Sequence, residues 1–182
     1  MAASKNSRNS QRFRSALASP VAAVTLCALV AAAIMACAAF HFYRTGVTLY
    51  YGDAEAHLDI ARRIVDSRTP GWAQVGTTWL PLPHLAMVPF VIHDELWKTG
   101  LAGAIPAAMA MTLAAVFLFA AVRRAMESAP AAAVATAVFL LNPNVLYLGS
   151  IPMTEPFFFA ELFAMLYFTV RFGETQGWGA LV

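Results

Sequence analysis

Three residues able to take or bind a proton, Asp53, Glu55 and His57, fall within five positions of one another, and Glu155 stands far downstream beside a proline. A lone carboxylate can orient a hydroxyl and remove its proton, and an imidazole one helical turn away can act as a second base or a ligand. The Asp53 and His57 spacing suits metal binding, but two ligands at one helical separation do not complete a site. Each residue also has a purely structural role open to it. Asp53 can cap a helix, Glu55 can complement a helix dipole in the first turn, and His57 can be a satisfied interfacial histidine. At the second position Thr154 can cap and Glu155 can favour the dipole, yet an ionisable group beside Phe157, Phe158 and Phe159 at a membrane edge is also a functional candidate. Glu161, deeper in the same apolar block, is expected to face the interior of the bundle, paired or protonated.

The elements that must position these groups are those of a membrane protein. Of 182 residues, 60% are hydrophobic and 12% are charged, and the mean hydropathy is +0.63, unlike a water-soluble domain. The apolar residues form blocks about as long as a bilayer crossing. The sequence predicts an all-α membrane protein with about four transmembrane helices, near 21–43, 101–122, 130–148 and 156–172. A basic tail, residues 1–20 with Lys5, Arg8, Arg12 and Arg14, keeps the amino end in the cytoplasm, and Arg123, Arg124 and Arg171 mark inner ends. The small-residue run Ala36-Cys37-Ala38 resembles a signal cleavage site, but apolar sequence continues through Phe40 and Phe42, as a spanning helix requires. Cys27 and Cys37 share the first block and suggest no disulfide framework. A net charge of +2 without interleaved basic and aromatic residues argues against nucleic-acid binding. Asn142-Pro143-Asn144 interrupts the third block near its outer end, most simply as a packing kink. Residues 173–182 read as a turn followed by the first residues of another apolar segment, Ala180-Leu181-Val182, which predicts a longer protein.

The extracytoplasmic loop, residues 44–100, is too long to lack structure. From Asp53 to Asp66, steps of 100° place Ala54, Leu58, Ile60, Ala61, Ile64 and Val65 on one face, with Glu55, Asp59, Arg62, Arg63 and Asp66 opposite. This predicts an amphipathic surface helix with Asp53 and His57 turned inward. Trp79-Leu80-Pro81-Leu82-Pro83-His84 and the apolar stretch to Ile92 predict a second surface helix, too short to cross, anchored by Trp72 and Trp79.

These features together, with Tyr51-Gly52-Asp53, the Trp79 to His84 segment, Asn142-Pro143 and Met153-Thr154-Glu155-Pro156, make the chain similar to the amino-terminal part of GT-C glycosyltransferases. That class includes protein O-mannosyltransferases and aminoarabinose transferases. The resemblance spans most of residues 43–172. Protein O-mannosyltransferases carry two adjacent acids in the first loop, whereas Ala54 here separates Asp53 from Glu55. The resemblance implies a multi-pass protein of a cell inner membrane that takes its sugar from a polyprenyl-phosphate donor and passes it to an acceptor at the outer face. It implies Asp53 and Glu155 as catalytic residues, with His57, Glu55, His84 and Trp79 binding substrate. Positive charge near the departing phosphate would come from Arg62, Arg63, Arg68 or Lys98, or from a divalent ion, magnesium or manganese, held by acids such as Asp53 and Glu155. The helical wheel sets Arg62 and Arg63 on the solvated side. The competing class is a transporter component or non-catalytic membrane scaffold, in which Asp53 only caps a helix.

Overall fold

The computed structural model describes residues 19–76 and 78–175, so the tail cations Lys5, Arg8, Arg12 and Arg14 and the segment Ala180-Leu181-Val182 lie outside the described residues. All regular structure among the described residues is helical. Helix α1, Pro20–Thr45, opens on a proline, which donates no N–H where none is needed, and closes on Gly46 in the left-handed region at φ 75°. The segment after α1 then forms α2, Gly52–Val65, a 3-10 turn at Trp72–Val75, α3, Pro81–Val91, and α4, Asp94–Thr99. Helix α5, Leu101–Met126, follows Gly100, also left-handed at φ 81°. The chain ends in α6, Ala129–Leu140, α7, Pro143–Leu148, and α8, Glu155–Thr175.

Three of these helices, α1, α5 and α8, with 26, 26 and 21 residues, are long and apolar enough to cross a bilayer. The third apolar block differs from an unbroken span. It splits into 12 residues in α6 and 6 in α7. Pro143 offers no N–H to continue α6, and the Asn142 side chain caps the new helix by accepting from the Asn144 and Val145 amides at 3.0 and 3.4 Å. The interruption is thus a helix break, sharper than a kink.

Helix α5 is the hub, packing on α1, α6 and α8. Its face of Ala102, Ala107, Ala110, Ala114 and Ala115 is buried, and such small side chains let neighbouring backbones approach closely where apolar burial alone drives no association. Met35, Met111 and Leu140 fill the centre. The segment between α1 and α5 is tied to this bundle through Leu58 and Ala61 of α2, Met87 and Val91 of α3 and Ala102 at the start of α5.

Candidate functional site

On the predicted apolar face of helix α2, Ala54, Leu58, Ile60 and Ala61 are buried together with His57, whereas Ile64 is half-buried and Val65, at the end of the helix, is exposed. Its start differs from expectation. Tyr51 occupies the N-cap position with no side-chain cap bond, and Asp53 follows Gly52 inside the first turn. Asp53 is therefore not the cap, and it is exposed rather than turned inward like His57. Its carboxylate and that of Glu55, also exposed, gain only the favourable field of the helix N-terminus.

Ala54, next to Asp53, is sealed against Ile151 and Met153. This contact joins the start of α2 to the turn that runs into Glu155 and α8. The turn is itself pinned: a Cβ on Gly103 would meet Pro152, and one on Gly149 would meet the Met35 and Met111 side chains. Glu155 is half-buried, and its Oε2 is shielded from water with no hydrogen-bond partner. A buried carboxylate oxygen left unpaired is costly and calls for a partner supplied from elsewhere.

Behind Asp53 the structure brings together two histidines 27 residues apart in sequence. His57 Nδ1 lies 3.0 Å from His84 Nε2, and His84 Nδ1 lies 3.0 Å from the Leu80 carbonyl oxygen. A carbonyl only accepts, so His84 Nδ1 carries the hydrogen, and in a neutral ring its Nε2 then accepts from His57 Nδ1–H. The remaining nitrogen, His57 Nε2, carries no hydrogen. Burial pushes His57 below the ordinary imidazole range, with Asp53 pulling the other way. His84 is lowered by burial and then by the neighbouring imidazole, against the Leu80 carbonyl, which favours the charged form. With 0% exposure and both nitrogens engaged, His84 orients His57 and has no nitrogen left for a substrate. The Trp79 indole meets the His57 ring edge-on, with centroids 4.9 Å apart.

Trp79 also forms one wall of a cleft of about 170 Å³, with Leu82 on its own side and Thr154, Phe157 and Glu161 of the α8 region across from it. Glu161 is exposed at this cleft and does not face the bundle interior. The signal was present in the sequence, because positions 154, 157, 158 and 161 repeat at helical spacing and so share a face.

Arg62 also departs from the wheel, with only 17% of its side chain exposed. Its guanidinium holds Asp66 at 2.7 Å and Asp94 at 2.8 Å, donates to the Val91 carbonyl, and lies over the Trp97 ring at 5.1 Å. The hydrogen bond to Asp66 comes first in raising its pKa above the ordinary value. So engaged, Arg62 is a clamp between α2 and the α3–α4 corner. Arg63, Arg68 and Lys98 are exposed. Among the described residues no three His, Cys, Asp or Glu side chains converge as a metal site.

No family model matches the chain, and no match was found among curated proteins or solved structures.

Proposed function

We propose that the chain is a membrane glycosyltransferase of the GT-C type, which moves a sugar from a polyprenyl-phosphate donor to an acceptor at the outer face of a cell inner membrane. What supports the reading most is the packing of Ala54 on Ile151 and Met153. It sets an exposed carboxylate, Asp53, at the same end of the bundle as a carboxylate with an unpaired oxygen, Glu155. In the reaction, Asp53 takes the proton of the acceptor hydroxyl as that oxygen bonds the anomeric carbon. The bond from this carbon to the phosphate oxygen breaks, and polyprenyl phosphate leaves as an anion, needing no general acid. Glu155 offers its free oxygen to the acceptor; were magnesium or manganese required, Asp53 and Glu155 would be the acids to hold it, and it would supply positive charge to offset the departing phosphate. Trp79 and Glu55 contact substrate, with His57 behind them. Four crossings complete the reading. Helices α6 and α7 together make the third, the amino end lies in the cytoplasm, and α2 and α3 rest on the outer surface of the bilayer.

Sugar transfer and donor binding are measured separately with purified protein in lipid nanodiscs. Asp53→Asn is expected to abolish transfer while leaving polyprenyl-phosphate binding intact, and Glu155→Gln to weaken transfer at least tenfold. Unchanged transfer by Asp53→Asn would overturn the reading, and a protein that binds no donor would be a scaffold or transporter component.

A further inference from the structure

The hydrogen-bond chain through His57 and His84 stops at the Leu80 carbonyl, so it leads no proton onward. It does something else. Its two rings belong to different helices, and they are the polar link between α2 and α3 at the end that bears Asp53, while Arg62 makes the link at the other end. We propose that His57 and His84 form a one-proton clasp that positions the Asp53 end of α2 against α3 and opens when both rings are charged.

The first added proton goes to His57 Nε2, the one bare imidazole nitrogen of the pair that is not already accepting the bond between the rings. The Nδ1–H bond to His84 survives, because His84 still accepts. A second proton has only His84 Nε2 to go to. That removes the acceptor and sets two cationic rings, tilted by 51°, against each other with their nitrogens 3.0 Å apart and their centroids 5.1 Å apart, buried where little water screens them. The hydrogen bond is lost and α2 is pushed from α3.

Among the described residues few other charges bear on the pair. Asp53 is the charged neighbour whose field His57 feels. Helix α3 brings no titratable group besides His84, the 3-10 turn brings none, and the charges of α5, Arg123 and Arg124, sit at its far terminus. The turn sealed against Ala54 leads to Glu155, and Asp94 is held by Arg62. The sign of the pH effect follows from burial. Both histidines sit below their ordinary value in the folded protein, so the unfolded chain binds more protons. The clasp stabilises fully above about pH 6.5 and is lost as pH falls through the lowered values.

The clasp rests on the transferase reading only in making Asp53 the group positioned, and its test uses no sugar transfer, so the two fail separately. Amide hydrogen exchange of the full chain in nanodiscs is followed from about pH 7.5 to about pH 4.5, corrected for intrinsic rates. Amides of residues 53–60 are expected to exchange roughly tenfold faster at the acid end, as local opening requires. In His84→Gln, a neutral side-chain oxygen still accepts from His57 Nδ1–H, and the acid response is expected to shrink to less than about twofold. Flat exchange in the wild-type protein, or an undiminished acid response in His84→Gln, overturns the clasp. Nitrogen NMR of the wild-type histidines gives a readout that needs no variant to fold. At neutral pH, Nδ1–H on both rings is expected, and a hydrogen on His57 Nε2 with Nδ1 bare overturns the proposal.

Discussion

Gly103 of α5 lies directly beneath Pro152, so close that a Cβ added there would sit 2.8 Å from Pro152 Cγ and 2.9 Å from its Cα. Proline cannot swing its ring aside, and its Cα is backbone, so the turn ahead of Glu155 would have to move. Alanine at position 103 gains about 1 kcal/mol of helix propensity, while overpacking of this kind costs about 1–3 kcal/mol. Gly103→Ala is therefore expected to lower thermal stability. Gly149 is the control, since its added Cβ would meet the Met35 Cε at 2.8 Å and the Met111 Cγ at 2.9 Å. Methionine ends are flexible and can yield, so Gly149→Ala is expected to cost less than about 1 kcal/mol. Thermal unfolding in nanodiscs checks the ranking, and Gly149→Ala proving the more damaging of the two would refute it.

Arg62 combines four interactions of unequal weight. Its partners Asp66 and Asp94 are 65% and 60% exposed, which limits each ion pair to about 0.2–1 kcal/mol. The Val91 carbonyl and the Trp97 ring add a hydrogen bond of about 1 kcal/mol and a cation–π contact of about 0.5–1 kcal/mol. Arg62→Ala is expected to destabilise the protein by about 2 kcal/mol. Arg62→Lys keeps the charge but loses the planar fork and the stacking, so it should recover less than half of that. Asp94→Asn should cost under about 1 kcal/mol, an effect that salt diminishes. If Asp94→Asn matched Arg62→Ala, the ion pair and not the carbonyl and ring would hold the corner.

The helical frame was legible because a bilayer would impose length and polarity on any crossing, and the three helices long and apolar enough for one, α1, α5 and α8, begin and end within a few residues of three of the four predicted blocks. Pro143 was visible too, but whether it bends or breaks a helix depends on its neighbour. Asn142 supplies a cap in place of the lost ladder, and so α7 starts anew. Periodicity placed His57 on the buried face, yet it carries no information about the partner across a helix pair, so His84 could not be joined to it. Arg62 misled the wheel for a different reason. An angle fixes where Cβ points, while a long side chain can bend back over Trp97 to reach Asp94 and the Val91 carbonyl. The capping role open to Asp53 required the helix to start after it, but α2 begins at Gly52 with Tyr51 at the N-cap position, which sets Asp53 inside the first turn.

If α6 and α7 jointly make the third crossing, Glu127 ahead of α6 and Asn144 in the first turn of α7 must lie toward opposite sides of the membrane. Single cysteines at Glu127 and Asn144, in a chain with Cys27 and Cys37 replaced by alanine, report this with a membrane-impermeant thiol reagent. Both parent residues are exposed. Asn144→Cys is expected to react from the outer face in intact cells and Glu127→Cys only after the membrane is permeabilised. Labelling of both from one side would make the pair a re-entrant hairpin and leave three crossings.

Thr136 of α6 is 6% exposed, and its hydroxyl has no hydrogen-bond partner. Thr112 and Thr169 show the usual solution, each donating at 2.8 Å to the carbonyl four residues earlier. Thr136 instead lines a wholly different environment, a cavity of about 570 Å³ between α1 and α6 walled by Ala, Leu, Ile and Val side chains. Valine has nearly the same shape without the hydroxyl. Removing an unpaired buried polar group relieves a desolvation cost of about 1–3 kcal/mol. For a chain of this size, 1 kcal/mol corresponds to about 2–4 °C in Tm. Thr136→Val is therefore expected to raise the unfolding temperature by several degrees in nanodiscs and to leave the α2 and α3 amides unchanged in hydrogen exchange. A drop in Tm would mean that the hydroxyl meets a polar group within the groove, since no contact inside the described residues would be lost with it.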